Sequence, residues 1–173
     1  KIFLFFIANM RFTTFWSAIR DDRHGIVKND SIIWMVGEDV TRMVIRQCYI
    51  TFADRVLSST ATNRPVPTVA LVLGIKGIGK SVFLNYLMVR IVEKHRAEQL
   101  PDPVIIFASN EHRVLFNSTG AFTTARDFFD ADYLLIDSVD YASFSGIRKL
   151  AIEVSSNNPS HYTSYRDRLV EAA

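Results

Sequence analysis

A chain of 173 residues, 49% hydrophobic and 22% charged, carries enough apolar material for one domain burying roughly 70% of the surface its unfolded form exposes, and is not composed like a disordered segment. A formal net charge of +2 is too small to argue for nucleic acid or a membrane surface as a partner. The single cysteine, Cys48, excludes an internal disulfide framework and a polycysteine metal site, and it fits a reducing compartment or a fold that needs no bridges.

Lys1 is followed by the apolar run Ile2 to Ala8, far short of the ~20 residues that span a bilayer, so no membrane partner is expected. No initiator methionine precedes the run, and Asn9-Met10-Arg11 follows it where a signal peptide would have small residues. The expectation is a fragment, or a chain truly starting at Met10. Phe12 to Ile19 suits a short helix, Asp21 to Gly25 a turn and Ser31 to Val36 a short strand, none of them with assigned chemistry. From Ile45 the apolar residues Ile45, Tyr49, Phe52 and Val56 recur at i, i+4, i+7 and i+11, which predicts an amphipathic helix reaching about Leu57. Ser58 to Pro67 is polar and contains two prolines, so it ends that helix and delivers the chain extended into the first strand of the core. The organisation expected is an N-terminal segment over 1–57, a linker over 58–67 and a core over 68–173 whose C-terminal side is incomplete.

The core opens with Thr68 to Leu73 as a buried strand, breaks into glycines, and resumes as an apolar helix over Val82 to Ile91. Between them Gly74, Gly79, Lys80 and Ser81 fit the Gly-x-x-x-x-Gly-Lys-Ser spacing of a loop that cradles phosphates. Glycines let successive backbone N–H groups turn toward one point without Cβ obstruction, and the helix N-terminus adds partial positive charge. The cradle comprises Gly74, Ile75, Lys76, Gly77, Ile78, Gly79, Lys80, Ser81 and Val82. Lys80 is expected to reach the β- and γ-phosphates of ATP or GTP, and the Ser81 hydroxyl to be one ligand of Mg²⁺. A glycine-rich turn without ligand is the competing reading.

Val82, Leu84, Leu87, Met88 and Ile91 give the helix a wide apolar face, with Arg90, Lys94 and Arg96 near its end and Leu100-Pro-Asp-Pro stopping it. Val104 to Ala108 reads as a second buried strand, and Arg113 to Thr124 as a hairpin turning through Gly120. Tyr133 to Asp137 is an apolar strand ending in an acid. In sheets of this kind such an acid, on a strand neighbouring the loop, holds Mg²⁺ directly or through water. Asp140 is a candidate second acid, while residue 138 is serine, so the carboxylate that would orient an attacking water is missing there. Leu150 to Ser156 reads as a further strand and His161 to Glu171 as a polar helix. The β-α-β order predicts an α/β fold with a mainly parallel sheet. Ser155, Ser156 or Asn157 would then lie at the loop's edge as a γ-phosphate sensor, or serve as helix caps. His24, His95, His112 and His161 show no ligand spacing, and each is expected on the surface or in a loop.

Four blocks in this order, Val44 to Tyr49, Gly77 to Leu87, Tyr133 to Ser138 and Val154 to Pro159, resemble the Crinkler effector and retrotransposon hot spot family of P-loop NTPases over about residues 44 to 165. The resemblance implies a three-layer αβα sandwich of AAA-like or STAND-like type. It makes Gly79, Lys80 and Ser81 phosphate and magnesium contacts, Asp137 the Walker B acid, and Ser155 and Ser156 the sensor-like strand end. It further implies a secreted protein delivered to a host cell and often its nucleus, commonly coupled to a C-terminal nuclease-type domain. The sequence departs from that pattern at Lys76, where the family has proline, and at Ser156-Asn157-Asn158, where it has Ser-Pro-Asn. Catalytic roles fall to Lys80, Asp137 and Asp140, with slow hydrolysis and possible self-assembly expected. The alternatives are a degenerate domain that binds a host protein, and a small-molecule kinase, for which Arg113 and Arg126 are the only lid arginines in the middle region.

Overall fold

A computed structural model describes residues 12–20, 27–28, 31–36, 39–59, 68–109, 113–123, 130–137 and 147–155, the backbone alone at 27–28, 31–36, 39–43 and 68. In chain order these form α1 (12–20), β1 (Val27–Lys28), β2 (Ser31–Val36), β3 (Asp39–Val44), α2 (Gln47–Ser59), β4 (Thr68–Leu73), α3 (Lys80–Ala97), β5 (Ile105–Ser109), β6 (Arg113–Asn117), β7 (Gly120–Thr123), β8 (Ala131–Asp137) and β9 (Ile147–Ser155). The fold is mixed α/β. β1, β2 and β3 make a small antiparallel sheet. The other six strands run in the order β4-β9-β8-β5-β6-β7. β4, β9, β8 and β5 are parallel, and the β6–β7 hairpin adds antiparallel strands to β5.

β8 and β9 lie inside the parallel portion with side chains buried on both faces, which is why they read as unbroken apolar runs rather than alternating ones. Leu134, Leu135 and Ile136 of β8 and Ala151 and Ile152 of β9 are fully buried. One face of the sheet, carrying Val114, Tyr133, Leu135, Leu150, Ile152 and Val154, shares a core with α1, α2 and α3. The other face gathers Ile106, Ala108, Leu134, Ile136, Ile147 and Ala151, and no described helix contributes to it.

α3 is apolar nearly all round because it is covered on two sides, by the sheet and by α2. It outlasts the predicted 82–91 by almost two turns and ends without glycine. Gln99 takes φ 54°, Leu100 N–H donates to the His95 carbonyl at 2.8 Å, and Glu98 N–H to that of Lys94 at 2.9 Å, so the last carbonyls are satisfied by the turning chain itself. α2 buries Tyr49, Ala53 and Leu57, a stripe rotated from the predicted one. Small Ala53 faces α3, whereas Phe52 stays 46% exposed with its ring edge-on to Phe83 at 6.2 Å. The helix also continues through Ser59, past the predicted start of the linker; residues 60–67 lie outside the described residues, as do the predicted turn at 21–25 and helix at 161–171.

α1 occupies its predicted span and packs over the hairpin. Trp16 is buried against Phe116 at 5.2 Å, and its Nε1–H donates to the Asn117 carbonyl at 2.7 Å. Arg96 at the end of α3 donates to the carbonyls of Ile19 and Arg20, closing the C-terminus of α1. The 58–67 boundary is thus a boundary of sequence and not of packing, since α1 and α2 belong to the same core as the strands beyond it. No described helix is long and apolar enough to cross a membrane.

One histidine overturns its expectation. His95 is 4% exposed, with Nδ1 2.6 Å from the Pro101 carbonyl, Nε2 3.0 Å from the Tyr133 hydroxyl and the Lys149 Nζ 3.3 Å away. Its place on the buried side of α3, rather than any ligand spacing, decides its surroundings. Burial lowers its pKa, and the Lys149 charge lowers it further against the raising effects of the Pro101 hydrogen bond, Asp132 and Glu98. A folded-state pKa below the unfolded value of about 6.5 means that the stability contributed by neutral His95 is complete above that pH and lost as pH falls beneath it. In a thermal-melt series from pH 7.5 to 5, the parent is expected to lose melting temperature faster than His95→Gln below about pH 6.5; parallel curves would show that His95 titrates alike in both states.

Candidate functional site

The loop between β4 and α3 sits where the parallel strands end, at the sheet edge from which their carboxyl termini emerge. Gly77 (φ 81°) and Gly79 (φ 96°) take left-handed backbone conformations and Ile78 between them does not. Alternation of hand is the backbone geometry of anion-binding concavities, and within this loop Ile78 N–H bonds the Ile75 carbonyl at 3.4 Å. At Gly79 any side chain is doubly excluded, because a Cβ there would also collide with the Tyr49 hydroxyl. α3 starts directly after, with Phe83 N–H bonded to the Gly79 carbonyl at 2.9 Å, no side-chain cap and no acid in its first turn. The positive end of the helix dipole therefore faces the loop without a compensating carboxylate in that turn.

Four loop carbonyls are taken by side-chain donors. Lys80 Nζ folds back to Gly74 O at 2.7 Å and Ile75 O at 2.9 Å. Arg46 Nη1 donates to Ile78 O at 2.7 Å, and the Tyr49 hydroxyl to Gly79 O at 2.9 Å. These bonds fix the direction of four loop carbonyls. Lys76 and Ser81 are exposed, the first on the loop and the second in the opening turn of α3. Val82 packs into the core, so its side chain is not part of the loop surface. Ile75 (66% exposed) and Ile78 face solvent.

Asp137 does not lie on the strand next to the loop strand. β9 intervenes, with Leu73 opposite Ser155 and Val154 opposite Asp137, so Asp137 is about 10 Å across the sheet from the end of β4. β9, which follows β8 in the chain, pairs between β8 and β4, an arrangement that spacing along the sequence cannot report. Alternation along β8 puts Asp137 on the face of Tyr133 and Leu135, the face that α3 covers. Ser155 touches the loop by main chain, its carbonyl accepting from Gly74 N–H at 3.3 Å; its side chain is buried and, by alternation from Val154, lies on the opposite face. Arg113 starts β6 at the same edge but four strands from β4, about 19 Å away. Asp140, Ser156, Asn157 and Arg126 lie outside the described residues.

The donor set suits a hard cation shared with phosphate oxygens and water: one exposed hydroxyl, Ser81, and one carboxylate, Asp137, at the edge bearing the glycine loop. Among the described residues no group of three or more His, Cys, Asp or Glu gathers into an all-protein cage, which a phosphate-bound Mg²⁺ does not require. Arg46 and Tyr49 are the site residues that sequence reasoning missed. Both stand in the block Val44 to Tyr49, and their i, i+3 spacing at a helix start brings them to one side. A scan against protein-family models, a search of the curated proteins and a search of the solved structures each return no match to this chain.

Proposed function

We propose that this chain is a P-loop module that binds a nucleoside triphosphate, ATP or GTP, with Mg²⁺ and hydrolyses it slowly. The observation that carries the proposal is the loop at 74–79, in which two left-handed glycines run directly into an uncapped helix whose first residue is lysine. In this reading the loop N–H groups and Lys80 bind the phosphates, and Ser81 and Asp137 hold Mg²⁺. Bound Mg²⁺ would supply neutralisation of the charge that develops on the β- and γ-phosphate oxygens. Lys80 exchanges its two loop carbonyls for phosphate oxygens of higher charge, a stronger bond for the same ammonium. The likeness to Crinkler and retrotransposon hot spot NTPases supports the same reading. It extends the proposal to a three-layer sandwich acting as a nucleotide switch in a secreted effector, with a nuclease-type domain or a host protein as its partner.

A second reading, a domain that has kept the loop and binds a host protein, is favoured by the exposed Ile75 and Ile78 on the loop. Asp137 separates the two. With a fluorescent ATP analogue, Asp137→Asn is expected to weaken binding in the presence of Mg²⁺ and to leave metal-free binding nearly unchanged. An equal loss with and without Mg²⁺ would make Asp137 structural, and no binding by the parent chain would leave the interaction reading.

A further inference from the structure

Resting on the nucleotide reading, we infer that Arg46 and Tyr49 are positioning residues that couple the β3–α2 joint to the phosphate affinity of the glycine loop. β3 ends at Val44 and α2 begins at Gln47, so the joint is Ile45 and Arg46 alone. Ile45 packs against the core, and Arg46 and Tyr49 reach across some thirty positions of sequence to the loop carbonyls of Ile78 and Gly79. These two carbonyls lie between the left-handed Gly77 and the start of α3, where any rotation of the peptide planes would swing an oxygen toward the concavity and an N–H away from it. Arg46 thus holds the Ile78 carbonyl, and Tyr49 shares the Gly79 carbonyl with the Phe83 N–H of α3, so each donor adds to the fixed orientation of the loop.

The two donors are themselves held. Tyr49 is buried, its ring packed near Phe83 at 5.9 Å and Tyr86 at 6.3 Å, and the Arg46 guanidinium lies 5.9 Å over the Tyr49 ring. Burial raises the Tyr49 pKa against a smaller lowering by the Arg46 charge, and Cys48 adds a little to the rise, so the hydroxyl remains a donor at neutral pH. A shift of the joint moves both donors together, because Tyr49 is in the first turn of α2 and Arg46 immediately precedes that helix. Linkage makes the coupling reciprocal: if the engaged joint favours phosphate, bound phosphate must favour the engaged joint by the same factor.

The test uses the whole chain with Mg²⁺ and a fluorescent ATP analogue. Tyr49→Phe, which removes one oxygen, and Arg46→Met are each expected to weaken binding roughly three- to tenfold, with Arg46→Lys between Arg46→Met and the parent. Arg46 is exposed, so its variants keep the core even where a Tyr49 variant does not. Hydrogen exchange supplies the readout that a merely structural role would not move. Adding nucleotide to the parent should protect the amides of residues 47–50, and that gain should shrink in Arg46→Met while protection within the loop persists. If Lys80→Ala loses binding and the Arg46 and Tyr49 variants bind like the parent, the coupling is overturned and the nucleotide site stands. If the parent does not bind, or binds no better than Lys80→Ala, the site itself is overturned and the coupling with it.

Discussion

Replacing Lys80 with alanine is expected to weaken Mg²⁺-ATP binding roughly ten- to a hundredfold, since a hydrogen bond to a charged group contributes about 1.5–3 kcal/mol. Lys80 Nζ holds Gly74 O and Ile75 O, bonds that it gives up on reaching phosphate, so the loss on its removal is that of the phosphate contact net of these two. The ammonium is half-buried at the first position of α3; of the other cations at the loop, Lys76 is exposed on it and Arg46 is committed to the Ile78 carbonyl. Titration of the fluorescent analogue against parent and variant measures the loss, and urea unfolding midpoints of both chains separate it from a change in stability. Equal affinities would remove the phosphate site from consideration.

Turnover of ATP by this chain is expected to be slow, below about 1 s⁻¹ at saturating Mg²⁺-ATP, against the tens per second of ordinary enzymes. Residue 138 is serine and offers no carboxylate to orient water. A finger arginine contributes about 10³–10⁵ in rate, and the candidates among the described residues are poorly placed for it. Arg113 is four strands from the loop strand, and Arg46 is committed to the Ile78 carbonyl. Phosphate release measured over a range of protein concentrations decides the matter. A rate above that bound refutes the slow switch, and a rate per chain that climbs with concentration assigns the missing arginine to a neighbouring subunit.

The legible parts of the sequence were those in which local pattern and tertiary environment agree. The loop glycines and the helix after them were readable because a positive-φ turn and a buried helix each leave a compositional mark; Thr68–Leu73 is the expected strand but not the expected buried one, since β4 ends the described sheet with Val69 to Val72 half-buried and Leu73 42% exposed. The β6–β7 hairpin announced itself through Asn117 and Gly120, whose turn closes with Asn117 Oδ1 accepting from Thr119 N–H at 2.9 Å. Strand order was illegible, because the insertion of β9 between β4 and β8 is a relation among segments far apart in the chain. The α2 face was misread by a fraction of a turn because Ala53, fully buried in the core that α2 shares with α3, carries too little apolar weight to register as core. Arg46 escaped for a related reason: a charged residue at a helix start looks like a solvated one until the loop it serves is folded beside it.

The position of β4 at the edge of the sheet has a consequence for how the chain comes into being. Its partner in the sheet is β9, about eighty residues later, with Thr68 opposite Leu150 and Leu73 opposite Ser155. During synthesis the glycine loop is therefore made well before β9, and the strand that carries it has no parallel partner among the described strands until β9 has emerged. Closing a loop of that length before any pairing rewards it is entropically costly, and strands joined this way assemble late. The α3–α2 pair, local in sequence and rich in apolar contact, is complete long before. A nascent chain stopped short of residue 155 would present a helix pair with an unpaired β4 beside it, an exposed apolar edge of the kind that recruits chaperones or pairs with its own copies.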